Sequence, residues 1–234
     1  MHEENSFVTL TYKTEALTWG LHRPTLYPRD LQLFMKKLRK AYEPRLIRFF
    51  SCGEYGGITG RPHYHACLFG LDFQDKKYHS TKMGNHLYTS ATLSRIWSHG
   101  DCLIGDVTFE SAAYVARYIL EKKLGKTSPY YQEQAIEPEF VRMSRRPGVG
   151  KAWFDKYHGD VFPEDRVVIR GGQICTPPKY YSGQFEILNP EKYKLIKENR
   201  KTNLLKNYQN YTLKKLIIRE QIKLAQTQNI TRNN

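Results

Sequence analysis

The stretch "RLIRFFSCGEYGGITGRPHYHACLFG" (residues 45–70) holds two largely apolar segments on either side of a glycine-rich turn. Residues 45–55 and 63–70 carry the aliphatic and aromatic side chains that favour strands, and "GGITG" (56–60) favours a turn between them. We therefore predict one antiparallel hairpin here. Its second strand begins with two histidines, His63 and His65, which are unusual at the start of an apolar segment.

The two histidines are one residue apart, so on a strand they share a face and lie about 7 Å apart. Two neutral imidazoles at this spacing can bind one divalent metal, although hydrogen-bonded structural histidines produce the same pattern. In a register that pairs Glu54 with His63, the carboxylate lies beside both imidazoles. Such a set favours Mg²⁺ or Mn²⁺ and leaves Zn²⁺ open. Cys67 shares the histidine face, so a zinc–thiolate site is a competing interpretation.

The rest of the chain predicts strands alternating with helices, read from hydrophobic periodicity and from Pro and Gly positions. This pattern indicates an α+β fold in which helices pack on one face of a sheet. We predict strands at 6–12, 102–109, 140–144 and 167–171, helices at 28–42, 92–97, 110–125 and 150–157, and a loop at 72–88.

The predicted helix at 110–125 carries two tyrosines one turn apart, Tyr114 and Tyr118, and Lys122 continues their row. On a helical wheel these residues fall roughly opposite a stripe that we expect to face the core. That stripe comprises Ala112, Val115, Ala116, Ile119 and Leu120. A phenol is a poor nucleophile at neutral pH, but a metal and a cation such as Lys122 can stabilise its phenolate.

The composition points to an anionic partner. The 234 residues include 37 Lys and Arg against 23 Asp and Glu, a net charge of +14. Such an excess favours nucleic acid, then an acidic membrane surface, although solvated lysines alone can produce it. Four scattered cysteines indicate a reducing cytoplasm. With no secretory signal and no apolar run near the ~18 residues of a membrane span, we expect a cytoplasmic protein.

Basic residues near the middle of the chain are interleaved with aromatic ones, a pattern typical of single-stranded DNA binding. The alternative is an ordinary solvated basic loop. The candidate DNA contacts are Arg142, Arg145, Arg146, Lys151 and Trp153. Residues 190–234 add 11 basic and three acidic residues, a net charge of +8, and we expect a helical tail there rather than core.

The segment "RPGVGKAW" (146–153) is only superficially like a phosphate-binding P-loop. That motif needs Gly at position 145 and Ser or Thr at 152, where the chain has Arg145 and Ala152. Because no ATPase motif is present, we expect the protein to depend on a host helicase for DNA unwinding.

Several motifs together resemble one family. "GRPHYHACLFG" followed by "YVARYILEKK" resembles the HUH endonucleases, and "FVTLTY" (7–12) resembles their first motif. The paired tyrosines resemble those of rolling-circle replication initiators with two nucleophiles. "CGEYG", "EFVRMSRRPGVGK" and "PPKYY" further resemble the initiators of microviruses, particularly the gokushovirus branch. The similarity covers roughly residues 6–181, and the tail matches no motif.

The resemblance implies a palm-like antiparallel sheet with the H-x-H motif on a central strand. It divides the chain into an endonuclease domain, residues 1–185, and a basic helical tail, residues 186–234. His63, His65 and Glu54 would hold Mg²⁺ or Mn²⁺. Tyr114 and Tyr118 would be the nucleophiles, supported by Lys122.

The implied function is nicking of single-stranded DNA at a phage origin through a 5′-phosphotyrosyl intermediate. The freed 3′-OH would prime rolling-circle synthesis, and the protein would later rejoin the circle. Its partners would be the origin, a host helicase and a host DNA polymerase in the bacterial cytoplasm, with no membrane; no oligomeric state follows. Two alternatives remain: a relaxase or transposase of the same superfamily, and a non-catalytic single-stranded DNA-binding protein.

Overall fold

A computed structural model describes residues 1–82, 84–117, 129–162 and 164–228. The chain forms two compact units, Met1–Val149 and Gly150–Asn234, each with its own hydrophobic core. Within the described residues, the strands are β1 (Asn5–Thr11), β2 (Thr18–Trp19), β3 (Pro24–Thr25), β4 (Arg48–Tyr55), β5 (Pro62–Phe69), β6 (Lys77–Lys82), β7 (Asn85–Thr89), β8 (Cys102–Gly105), β9 (Phe140–Met143), β10 (Val167–Ile169) and β11 (Gln173–Cys175). The helices are α1 (Pro28–Ala41), α2 (Ala91–Trp97), α3 (Phe109–Arg117), α4 (Pro129–Glu133), α5 (Lys151–Val161), α6 (Lys179–Leu188), α7 (Pro190–Lys206) and α8 (Leu213–Gln228).

The first unit is built on a seven-stranded sheet in the order β6-β7-β8-β1-β5-β4-β9. Its neighbouring strands run antiparallel. The H-x-H motif lies on β5, an interior strand between β1 and β4. The predicted α+β fold, with an antiparallel sheet and the two histidines on an interior strand, is confirmed.

Helices cover both faces of this sheet. Alternation along β1 and β5 sends Val8, Leu10 and Tyr64 to one face, where they pack with α1 and α2 in the main core. Cys52 and Cys67 point to the other face and pack with Val115 of α3. The expectation of helices on one face was wrong, because β1, β4 and β5 carry apolar side chains on both faces and each face must be covered.

The predicted loop at 72–88 was also wrong. Residues 77–89 form a hairpin, β6 and β7, which extends the sheet beyond β8. Most side chains of β6 are exposed, so this edge strand lacks the apolar alternation from which strands are recognised.

The second unit packs α5, α6 and α7 around a small aromatic core. The rings of Phe162 and Phe185 stack with centroids 4.1 Å apart. Tyr193 and Ile196 of α7 are buried in the same cluster, although we expected tail rather than core from residue 190 onward. The predicted helical character is confirmed over α7 and α8. The domain boundary at residue 185 stays a prediction.

No helix in the described part of the chain is both long enough and apolar enough to cross a lipid bilayer.

Candidate metal centre and nucleophile

The strand register brings the predicted metal ligands together. In the β4–β5 ladder Glu54 lies directly opposite His63, as the sequence predicted. On the other side of β5, β1 places Thr9 opposite His65 and Thr11 opposite His63. The two imidazoles therefore lie between a carboxylate on one strand and hydroxyls on the other.

Three side chains converge on the carboxylate of Glu54. His63 Nε2 lies 2.6 Å from Glu54 Oε1, and His65 Nε2 lies 3.2 Å from the same oxygen. One ligand atom from each of the three residues lies within 4.8 Å of the others. Glu54 is 3% exposed and His65 7%, so the cluster opens to solvent mainly beside His63.

The far nitrogen of each imidazole is held by the fold. His63 Nδ1 lies 3.0 Å from the Arg61 carbonyl, which can only accept, so Nδ1 donates. His65 Nδ1 lies 3.0 Å from Thr9 Oγ1, and its ring stacks on Phe7. These contacts aim both Nε2 atoms at the cluster, as outer partners do for metal-binding histidines.

The carboxylate has one oxygen left over. Glu54 Oε1 accepts from both histidines, whereas Oε2 is buried with no hydrogen-bond partner among the described residues. A buried carboxylate oxygen without a partner is costly, and a cation removes that cost. The orphaned oxygen and the two aligned imidazoles therefore fit a divalent metal.

Charge coupling within the cluster sets the protonation of its members. Burial opposes the charge of Glu54, but hydrogen bonds from His63 and His65 outweigh it and lower the pKa of Glu54. Burial also opposes a charged His63, but the Glu54 carboxylate prevails and raises the pKa of His63. For His65 burial prevails, and its pKa is lowered. A metal bound through both imidazoles must therefore displace a proton mainly from His63.

Cys67 does not join this cluster. Its thiol is buried against Cys52 and Val115, and burial raises the pKa of Cys67 to about 11. The group that could hold a metal among the described residues comprises Glu54, His63 and His65. A protonated thiol is a poor ligand, so the zinc–thiolate alternative loses its support.

Tyr114 reaches the same carboxylate from the helix above. Its hydroxyl donates to Glu54 Oε1 at 3.1 Å, and its ring stands perpendicular to His65 with centroids 5.2 Å apart. The other two residues assigned to catalysis, Tyr118 and Lys122, lie outside the described residues.

The start of α3 fixes where Tyr114 points. Thr108 N donates to Ser111 Oγ at 2.8 Å, and Ser111 N donates to Thr108 Oγ1 at 3.2 Å, a reciprocal cap. Val115 is then buried on the sheet and Tyr114 half-buried beside it. The helical-wheel expectation was partly wrong: Ala116 is exposed, and Tyr114 faces the sheet instead of pointing away from it.

The predicted DNA contacts fall in both units. Arg142, Arg145 and Arg146 are exposed at and after β9 in the first unit. Arg142 and Arg145 line one groove together. In the second unit Lys151 forms an ion pair with Asp155, and the Trp153 ring stacks on Tyr181 with centroids 5.2 Å apart.

Sequence reasoning missed Phe7, Thr9 and Arg61. Phe7 and Thr9 lie in "FVTLTY", where alternation alone places them on one strand face. The missing information was that β1 pairs with β5 and that Thr9 lies opposite His65. Arg61 acts through its backbone carbonyl, which leaves no sequence signal.

The first half of the chain, which contains this centre, is similar to one known protein family. The model of the family described as Replication-associated protein ORF2 matches residues 5–123. The chain belongs to this family. The predicted resemblance to phage replication proteins is thereby confirmed.

Two relatives align over most of this chain. Replication-associated protein ORF2 of Spiroplasma virus 4 is 38% identical over 208 residues, 85% of this chain and 63% of that protein. Replication-associated protein VP4 of Bdellovibrio phage phiMH2K is 32% identical over 206 residues, 82% of this chain and 61% of that protein.

A third relative, replication-associated protein ORF4 of Chlamydia phage 1, is 30% identical over 184 residues, 75% of this chain and 45% of that protein. The chain thus spans less than two thirds of the length of each of these relatives. No solved structure matches significantly.

Proposed function

We propose that this protein is a metal-dependent endonuclease that nicks single-stranded DNA at an origin and so initiates rolling-circle replication. The observation that carries the proposal is the hydrogen bond from the Tyr114 hydroxyl to Glu54 Oε1 at 3.1 Å. It joins a candidate nucleophile to a carboxylate that also contacts two imidazoles. Membership of a replication-associated family supports a role in replication.

Glu54, His63 and His65 would hold the metal, and their mixed oxygen and nitrogen donors suit Mg²⁺ or Mn²⁺. When bound, the ion supplies positive charge that draws electron density from the scissile phosphate. The two imidazoles enter this arrangement already oriented by Arg61 and Thr9.

Tyr114 Oη attacks the phosphorus of the scissile phosphodiester. The new bond joins Oη to phosphorus, and the bond from phosphorus to the 3′ oxygen breaks. The net proton change is loss from the phenol and gain at the departing 3′ oxygen. The products are a 5′-phosphotyrosine and a free 3′-OH that primes synthesis. Rejoining needs no ATP, because the covalent link retains the phosphodiester bond energy.

A second tyrosine completes the cycle. Tyr118 follows Tyr114 by one helical turn in the sequence and would cleave the regenerated origin after one circuit. The released 3′-OH then attacks the first phosphotyrosine and closes the circle. Lys122 would stabilise the phenolate of either tyrosine by its positive charge.

The cellular setting follows from the same proposal. The chain carries no P-loop in "RPGVGKAW", so unwinding falls to a host helicase and extension of the 3′-OH to a host DNA polymerase. The protein would act in the cytoplasm of a bacterium infected by a single-stranded DNA phage.

The test is cleavage of tiled single-stranded oligonucleotides that cover the genome encoding the protein. We expect nicking of one oligonucleotide in Mg²⁺ or Mn²⁺ and none in EDTA. His63→Ala should abolish nicking, whereas His79→Ala, at an exposed histidine of β6, should nick normally.

Metal binding is measured separately from cleavage by thermal unfolding. A metal at a hundredfold excess over its Kd adds about 2.7 kcal/mol to the free energy of unfolding. Mn²⁺ should therefore stabilise the parent and His79→Ala but not His63→Ala. Cleavage that persists in EDTA, with no Mn²⁺ stabilisation in the parent, would contradict the proposal.

A further inference from the structure

A second feature of the first unit lies on the face of the sheet opposite Glu54. Helix α1 and the edge strand β9 border a groove of about 630 Å³. Phe49, in its floor, packs against the main core together with Phe140 of β9. Glu54 shares its strand face with Cys52, which packs in the separate cluster under α3. The sheet therefore separates the groove from the metal centre.

The groove is strongly positive. Five cations line it, against a single carboxylate, that of Glu43. The cations are Lys36, Arg39, Lys40, Arg142 and Arg145.

None of the five cations forms an ion pair with a carboxylate anywhere in residues 1–82, 84–117, 129–162 or 164–228, whereas Arg45 and Lys76 of the same unit do. Crowded like charges without counterions oppose folding, so this groove is matched to an anionic ligand.

Aromatic rings lie directly beneath two of these cations. The Arg39 guanidinium lies 5.3 Å from the centroid of the Phe49 ring, and that of Arg142 lies 5.5 Å from the Phe140 ring. Phe49 is only partly buried, and Met143 beside it is 41% exposed. A cationic rim above an apolar and aromatic floor suits a phosphate backbone whose bases are free to stack. Duplex DNA keeps its bases stacked inside and would contact the rim alone.

We propose that this groove binds single-stranded DNA as a second site, separate from the nucleotides held at the metal centre. The proposal rests on the proposed function, which makes single-stranded DNA the substrate. β9 pairs with β4, the strand that carries Glu54, and forms the edge of the sheet. Neighbouring strands are about 5 Å apart, so a DNA strand leaving the metal centre reaches the groove by turning round one edge.

A matched pair of variants on α1 tests the proposal. Lys36→Gln with Lys40→Gln removes two charges that line the groove. Arg29→Gln with Lys37→Gln removes two exposed charges of the same helix that do not line it. Binding of a fluorescent oligonucleotide of about 12 nucleotides is titrated in EDTA at several salt concentrations, so the readout does not depend on cleavage.

Each phosphate contact contributes about 0.7 to the slope of log affinity against log salt for single strands. We therefore expect the groove variant to lose about 1.4 from the slope and on the order of tenfold in affinity at about 0.15 M salt. The control variant should bind like the parent. Equal losses in both variants, or none in either, would overturn the proposal, as would tighter groove-dependent binding of polyglutamate than of DNA.

Cross-linking locates the bound strand directly. An oligonucleotide carrying halogenated uracil, irradiated on the full-length protein, should attach to Phe49 or Met143, and the adduct should disappear in the Lys36→Gln, Lys40→Gln variant. Adducts confined to other peptides would overturn the second site. A parent that fails to nick but still cross-links at Phe49 would refute the proposed function and leave the groove intact.

Discussion

The orientation of His65 depends on a hydroxyl from another strand. Thr9 Oγ1 lies 3.0 Å from His65 Nδ1, and Phe7 stacks on the same ring. These contacts hold the imidazole with Nε2 toward Glu54. The binding free energy of a metal then need not include the cost of ordering this ring.

Thr9→Val removes the hydroxyl and keeps the side-chain shape. We expect Mn²⁺ affinity to fall by about 10–100-fold, because His65 loses the partner that orients it. Isothermal titration calorimetry measures the affinity. Thr11→Val is the control, since Thr11 lies on the same strand face but donates to the Asp101 carbonyl. Equal Mn²⁺ affinity in Thr9→Val and the parent would show that Thr9 does not position His65.

At this scale the sequence predicted the ligands better than their supports. Glu54 and His63 were placed by counting alternation along one hairpin, and the register is confirmed. Thr9 was not found, because its contact with His65 spans 56 residues and depends on which strands pair. The direction of Tyr114 was misjudged because a helical wheel assumes one apolar face, whereas the sheet has two.

Among the elements, α3 carries the nucleophile and is short within the described residues. Its first turn is held by the reciprocal hydrogen bonds between Thr108 and Ser111. Val115 then fixes the helix on the sheet, which sets the position of the Tyr114 hydroxyl.

Thr108→Ala removes the side-chain half of this cap and should destabilise the helix start by about 1 kcal/mol. We expect slower DNA cleavage with unchanged stabilisation by Mn²⁺, because the metal ligands lie on β4 and β5. Single-turnover cleavage and thermal unfolding separate the two effects, and Thr108→Ser should restore the rate. A rate equal to that of the parent would show that the cap does not position Tyr114.

Strands with a buried face were predictable, and exposed edge strands were not. β1, β4 and β5 carry apolar residues at every second position, which the sequence shows directly. β6 is largely exposed, so its pairing with β7 depends on the backbone and not on a hydrophobic pattern.

The molecule as a whole has two hydrophobic cores, and the basic C-terminal region contributes to one of them. Tyr193 and Ile196 are buried with Phe185 and Phe154 in the second unit. Charge composition alone predicted a tail from residue 190, because two buried residues among many lysines leave the net charge dominant.

Two truncations test this role of α7. A chain ending at Asn189 loses Tyr193 and Ile196, and we expect the second unit to lose about 3–6 kcal/mol of unfolding free energy. A chain ending at Lys206 keeps both residues and should retain the parent stability. Thermal unfolding and limited proteolysis of residues 150–189 measure the difference. Equal stability of the two chains would support the boundary predicted at residue 185.

The central claim is that Tyr114, held at the metal centre, becomes covalently attached to DNA. The most direct measurement is peptide mapping of complexes trapped on the cleaved oligonucleotide in Mn²⁺. The account predicts DNA on Tyr114 in the Tyr118→Phe variant, and no adduct when Tyr114→Phe and Tyr118→Phe are combined. An adduct that survives in the double variant, or that maps to Tyr130 or Tyr131, would contradict the account.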